Sequence, residues 1–177
     1  MSKFEIKYVF NFLVHKTPDN DRCQNFDRQR VEIKTYGGSP DNLKAIQGET
    51  VAYSWKFKLS QNFKVSKNFT HLHQIKSVGG LYASAPMITL TARKATPDRM
   101  ELRYTATNMQ STLKTASLDL FRGKWVKVTE VVKYDNLGSY YINISRVSDG
   151  LVLFNYNISA FLFNWIQIVK QMKKNDM

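Results

Sequence analysis

Cysteine is almost absent: Cys23 is the only one in 177 residues, so no intrachain disulfide framework can hold this chain. With three histidines and no second thiol there is no zinc ligand set either. Carboxylates are also scarce, 14 Asp and Glu against 26 Lys and Arg, a formal net charge of +12. An excess of that size points to an anionic partner. No apolar run reaches the length of a membrane span, and "KYVFNFLVHK" lacks the unbroken apolar core and small-residue cleavage site of a secretory signal. Repeats, low-complexity tracts and linkers are missing too, so the chain reads as one domain large enough to bury its own core. A basic helix, zinc-finger spacing and the aromatic signature of RNA-binding modules are absent, and no nucleic acid partner is expected.

What the chain does contain is alternation. "KFEIKYVFNFLVH" sends Ile6, Tyr8, Phe10, Phe12 and Val14 to one side of an extended strand, and "YSWKFKL" does the same with Tyr53, Trp55, Phe57 and Leu59. "MITLTARK" and "ELRYTAT" flank a turn at "KATPDR", where Pro97 and Asp98 supply turn geometry. "KWVKVTEVVKY" and "SYYINISRV" flank "DNLG", where Gly138 is expected to take a positive backbone angle, and "SDG" leads into "LVLFNY". About eight short strands separated by turn residues predict an all-β fold, a two-sheet antiparallel sandwich or jelly roll. The pattern changes only at the end. In "SAFLFNWIQIVKQMKKNDM", Phe161, Leu162, Trp165, Ile168, Val169 and Met172 recur at helical spacing, which predicts a short amphipathic helix docked on its own domain. The expected division is a β domain over 1–158 and a helical tail over 159–177.

In "DRQRVEIKTY" every second residue is charged, so Arg28, Arg30, Glu32 and Lys34 share one face of a strand. "THLHQIKS" places Gln74 and Lys76 on one face and His73 and Ile75 on the other, with His71 at the parity of His73. "YYINIS" places Tyr141, Asn143 and Ser145 together. If these strands line one surface, it displays Arg28, Arg30, Glu32, Lys34, Gln74, Lys76, Tyr141 and Asn143. That set suits cleavage of a uronic-acid polymer by β-elimination. Gln, Arg or Lys would stabilise the charge that develops on the sugar carboxylate, and Tyr or His would move the protons. His73, on the apolar face, reads as a hydrogen-bonded core histidine, with proton transfer as its alternative role.

The segments "NFDRQRVEIKTYGGSPDNLK", "GETVAYSWKFKL", "FTHLHQIKSVGG", "PMITLTARKATPD", "LFRGKWVKV" and "GSYYINISRVSDG" resemble, in order, the fungal glucuronan lyase family of polysaccharide lyases over roughly residues 8 to 156. The resemblance implies a jelly roll with a cleft, elimination without a sugar-activating cofactor, an acidic polysaccharide ligand and a secreted protein; a monomer is expected. It makes Gln74 the residue that neutralises the carboxylate, with Arg30, Glu32 and Lys34 lining the cleft. Family members carry a further strand with a Lys-Trp-Gly-Ile-Tyr-Arg-like motif whose tyrosine is expected to transfer a proton. In this chain the helical tail follows "VLFNY" instead. A uronate-binding protein without turnover is therefore the alternative reading.

Two further features stay open. Asp98, Asp119, Asp135 and Asp149 fall in turns, where aspartate is favoured for local reasons and a structural calcium is the one metal to look for. Asn68, Asn143 and Asn157 begin glycosylation sequons, which matter only for a chain that enters the secretory pathway.

Overall fold

The computed structural model describes residues 8–14, 30–77, 84–106 and 109–161. The chain divides into two compact units, Met1–Ser39 and Pro40–Met177. In the first, residues 8–14 and 30–36 form no ladder, contrary to the two strands expected there. Tyr8, Phe10 and Val14 are exposed, as are Val31 and Ile33. Alternation sorts side chains to two faces, but a strand also needs a neighbour for its N–H and C=O groups. Among the described residues of this unit no such ladder forms, and the backbone groups of Tyr36 close a turn with Ser39.

The second unit holds eight strands: β1 (Thr50–Lys58), β2 (Thr70–Ile75), β3 (Ile88–Arg93), β4 (Arg99–Thr105), β5 (Gln110–Ser117), β6 (Trp125–Lys133), β7 (Gly138–Arg146) and β8 (Val152–Phe161). They form two four-stranded sheets, ordered β1-β6-β7-β8 and β2-β3-β4-β5, and every pairing is antiparallel. This is the all-β sandwich that the alternation predicts. Apolar residues of the two inner faces meet in one core. Ile88, Leu90, Ala92, Met100 and Leu102 come from one sheet, and Val126, Val128, Val132, Tyr140, Ile142, Ile144 and Phe154 from the other. Each such large side chain taken fully out of water contributes roughly 1.5–3 kcal/mol.

In β1 the expected parity holds, with Val51, Tyr53, Trp55 and Phe57 packed against the core and Ser54 exposed. The "SDG" hairpin forms with Gly150 at φ 73°, the left-handed region where a missing Cβ removes the steric penalty. Gly138 is different. It opens β7 as a buried strand residue paired with Phe161, so Asp135, Asn136 and Leu137 make that turn. Strand β8 also runs to Phe161, three residues into the segment assigned to the tail. The ladder of β7 continues to Gly138 and offers Ser159 and Phe161 partners that the helical pattern did not reveal. The predicted helix beyond lies outside the described residues.

One end of the sandwich is fastened by charge. Lys94 Nζ donates to Asp98 Oδ1 at 2.9 Å, and Arg122 Nη2 donates to Asp98 Oδ2 at 2.7 Å. Arg122 also pairs with Asp119 and donates from Nε to the Phe63 carbonyl at 3.1 Å. The hydrogen bond from Lys94, then that from Arg122, hold the Asp98 carboxyl down at about 2, below its ordinary 3.8. A folded value below the unfolded one means stability that is present above about pH 4 and is lost as the pH falls from there toward 2. After allowance for solvent screening this is roughly 1–2 kcal/mol. Asp98→Asn is expected to lose that amount at neutral pH and to flatten the acid limb of a denaturation series below pH 4, the range given by ordinary carboxylate titration. An unaltered acid limb would count against the ion cluster.

The other turn aspartates are similarly engaged: Asp149 pairs with Arg146, and Asp135 stands 4.0 Å from Lys133. Among the described residues, no group of three or more His, Cys, Asp or Glu is placed to hold a metal ion.

Candidate functional site

The "THLHQIK" strand does not keep strict parity, because β2 carries a bulge between His71 and His73. His71 stands opposite Thr91 and Gln74 opposite Thr89, while His73 stands opposite Leu90. Thr89 and Thr91 share a face of β3, and the core residues Ile88, Leu90 and Ala92 share the other. The bulge therefore turns His71 and Gln74 outward together and leaves His73 inward, correcting the expectation that both histidines share one parity.

Strand β4 adds Glu101 beside Thr91 and Arg103 beside Thr89, and β5 adds Thr115 and Thr112 next in line. Two polar rows cross the outward face: His71, Thr91, Glu101, Thr115 and Gln74, Thr89, Arg103, Thr112. Neighbouring strands are about 4.8 Å apart, so Gln74 and Arg103 stand roughly 10 Å apart across Thr89. Thr89 has no exposure, and its hydroxyl lacks a hydrogen-bond partner among the described residues.

Arg103 is held rigidly. Its Nε donates to Gln110 Oε1 at 2.7 Å, and its Nη1 donates to Glu101 Oε2 at 2.7 Å and Thr112 Oγ1 at 2.8 Å. These bonds leave Nη2 to donate elsewhere. Alongside, Arg93 lies over the Phe69 ring at 5.2 Å and Phe69 stacks on His71 at 4.4 Å between centroids. Partial burial, then the like charge of Arg103, lower the Arg93 pKa, and Glu101 acts in the opposite sense. The face thus concentrates two guanidinium groups around one carboxylate. An anion placed there would meet an uncompensated positive field.

The remaining expected residues are distributed elsewhere. Lys76 is exposed just beyond β2. Tyr141 and Asn143 do share a face, but on β7, in the other sheet and pointing away from the core that Tyr140, Ile142 and Ile144 enter. Gln74 and Tyr141 consequently occupy opposite outward surfaces of the sandwich, and the single shared face is not formed. The cause is topological, since β2 and β7 belong to different sheets and pattern alone does not assign sheets. In the first unit, Glu32 lies 3.6 Å from Arg30 and 3.3 Å from Lys34, so these three charges do group on one side. Arg28 lies outside the described residues.

His73 faces the interior. Its Nε2 is 2.9 Å from Glu130 Oε2, an ion-pair distance without hydrogen-bond alignment, and its ring lies 5.2 Å from that of Trp55. Glu130 has no exposure, and its Oε1 accepts from the Tyr140 hydroxyl at 2.5 Å. Nearby, the Tyr53 and Tyr134 hydroxyls are 2.6 Å apart. Burial first, then the Glu130 charge, push the Tyr140 pKa well up, and burial raises those of Tyr53 and Tyr134. These phenols hold their protons firmly and are poor bases. The inward set joins the two sheets, whereas on the outward face Gln74 is exposed, His71 and Arg103 are partly buried, and Thr89 and Thr91 between them are fully buried.

Arg103 and Arg93 went unnoticed in the sequence, although "ELRY" carries Glu101 and Arg103 at strand spacing. Nothing in the spacing of "THLHQIK" announces the bulge that turns His71 outward. Comparison with protein-family models, with curated proteins and with solved structures finds no match for this chain.

Proposed function

We propose that this protein binds an acidic, uronate-type polysaccharide on the outward face of β2–β5 and cleaves it by β-elimination. The observation that carries the reading is the gathering of His71, Gln74 and Arg103 on one face, where the bulge in β2 and the register of β2, β3 and β4 put them. In this reading the Gln74 amide and the Arg103 guanidinium bind the sugar carboxylate and stabilise the enolate-like charge that develops there. His71 takes the proton from the carbon adjacent to that carboxylate. The electron pair of the broken C–H bond forms the new C=C bond, and the C–O bond to the neighbouring sugar breaks. The leaving oxygen recovers a proton from solvent or from the protonated imidazole. The resemblance of "DRQRVEIK" and "THLHQIK" to glucuronan lyases and the net charge of +12 support the same ligand class.

One observation favours turnover-free binding of the same polymer. Among the described residues of the two polar rows there is no tyrosine to act as the acid. Ultraviolet absorbance of the unsaturated uronate product separates the two readings. His71→Ala is expected to lower the rate of product formation about 10²–10⁴-fold, the usual contribution of a positioned acid or base. Retained binding in that variant would confine His71 to chemistry, and an unchanged rate would remove it from the mechanism.

A further inference from the structure

The opposite surface of the sandwich has a different and equally uneven composition. The four strands β1, β6, β7 and β8 contain one carboxylate, Glu130, and it is turned into the core. Their outward positions carry Lys56, Lys58, Lys127 and Lys133, of which Lys133 has Asp135 at 4.0 Å. Lys56 stands directly opposite Lys127, which brings two positive charges together on this face. Beside these lysines two rows continue across the face. Ser54, Thr129, Asn143 and Asn155 form one, and Ala52, Val131, Tyr141 and Asn157 the other. Tyr141 is 38% exposed, a ring set among small and amide-bearing neighbours on a regular sheet.

We infer that this face is a second binding surface for an anionic polysaccharide, separate from the candidate site on the other sheet. The lysines supply the attraction for sugar carboxylates. Tyr141, next to Val131 and Ala52, provides a flat apolar platform for the face of a pyranose ring. The side-chain amides of Asn143 and Asn157 each offer a donor and an acceptor, the pairing that vicinal sugar hydroxyls require, while Asn155 Oδ1 accepts from Lys114 Nζ at 3.1 Å and its amide N–H groups face the same surface. Nucleic acid is the less suitable occupant, because stacking along a strand of bases needs successive aromatic platforms, and the outward aromatic side chains Trp125 and Tyr141, the latter opposite Val131, lie roughly 20 Å apart along the strands. The inference rests on the proposed ligand class but not on the chemistry of the first face. A second surface would hold a long polymer while the other face engages a single segment, raising retention through effective concentration.

The test is affinity electrophoresis of the full chain through gels containing glucuronan, a neutral glucan or single-stranded DNA. Protein made in a bacterial host keeps Asn143 and Asn157 free of glycan. The double variant Lys127→Ala, Tyr141→Ala alters exposed side chains only, and a melting curve checks its fold. Retention by glucuronan is expected to weaken about tenfold or more in that variant, within the range that multivalency supplies. Gln74→Ala is expected to keep most of its retention, and product formation from short oligosaccharides should be unchanged in the double variant. Retention lost with Gln74→Ala but untouched in the double variant would overturn the second surface while leaving the first. Equal retention by DNA would overturn the carbohydrate assignment of this surface, and a wild-type chain that glucuronan does not retain would end both readings.

Discussion

Replacing His73 with leucine is expected to destabilise the fold by roughly 1–3 kcal/mol, the cost of stripping a polar neighbour from a buried polar atom. The substitution takes the imidazole away from Glu130 Oε2, an atom at a position with no exposure. Tyr140 would still donate to Oε1, but a carboxylate needs more than one donor to offset its desolvation. The sharper result comes from removing the whole polar set. The triple variant His73→Leu, Glu130→Leu, Tyr140→Phe should recover most of the loss, since replacing all partners of a buried polar set with apolar groups of similar shape is often nearly neutral. Denaturant titration of the three single variants and the triple variant measures this directly. A single His73→Leu loss below about 1 kcal/mol, the scale of an exposed ion pair, would show that Glu130 does not depend on His73.

Gln74→Ala should produce the largest functional effect. The side chain is exposed, so folding changes little, and substitutions at such positions usually alter stability by less than about 0.5 kcal/mol. The loss falls on the developing charge at the sugar carboxylate. Removing one such donor commonly lowers turnover by about 10²–10³-fold. The ratio of rates for wild type and Gln74→Ala on one polymer, with melting curves of both, separates a chemical role from a structural one. Near-full activity in a folded variant would remove Gln74 from the mechanism.

The fold was legible because β1, β6 and β7 alternate faithfully, and period two determines which residues face a core. Their register and hairpins follow from turn chemistry, as at Gly150. The site was legible only in part. Gln74 faces outward as its parity predicts, but His71 was misread because an inserted residue reverses parity without a local sequence signal. Tyr141 and Asn143 were grouped correctly with each other and wrongly with Gln74, since alternation orders the faces of one strand and says nothing of which sheet it joins. The failure at 8–14 and 30–36 is of another kind. Those segments have strand-like patterns, yet hydrogen-bond pairing depends on a neighbour elsewhere in the chain.

The most direct test of the central proposal is incubation of the purified, folded chain with glucuronan, alginate and a heparin-like polymer, following absorbance of the unsaturated uronate. A rise with a uronate polymer, lost in both Gln74→Ala and His71→Ala, is the predicted result. No rise with any polymer in a folded sample would contradict elimination chemistry on the β2–β5 face.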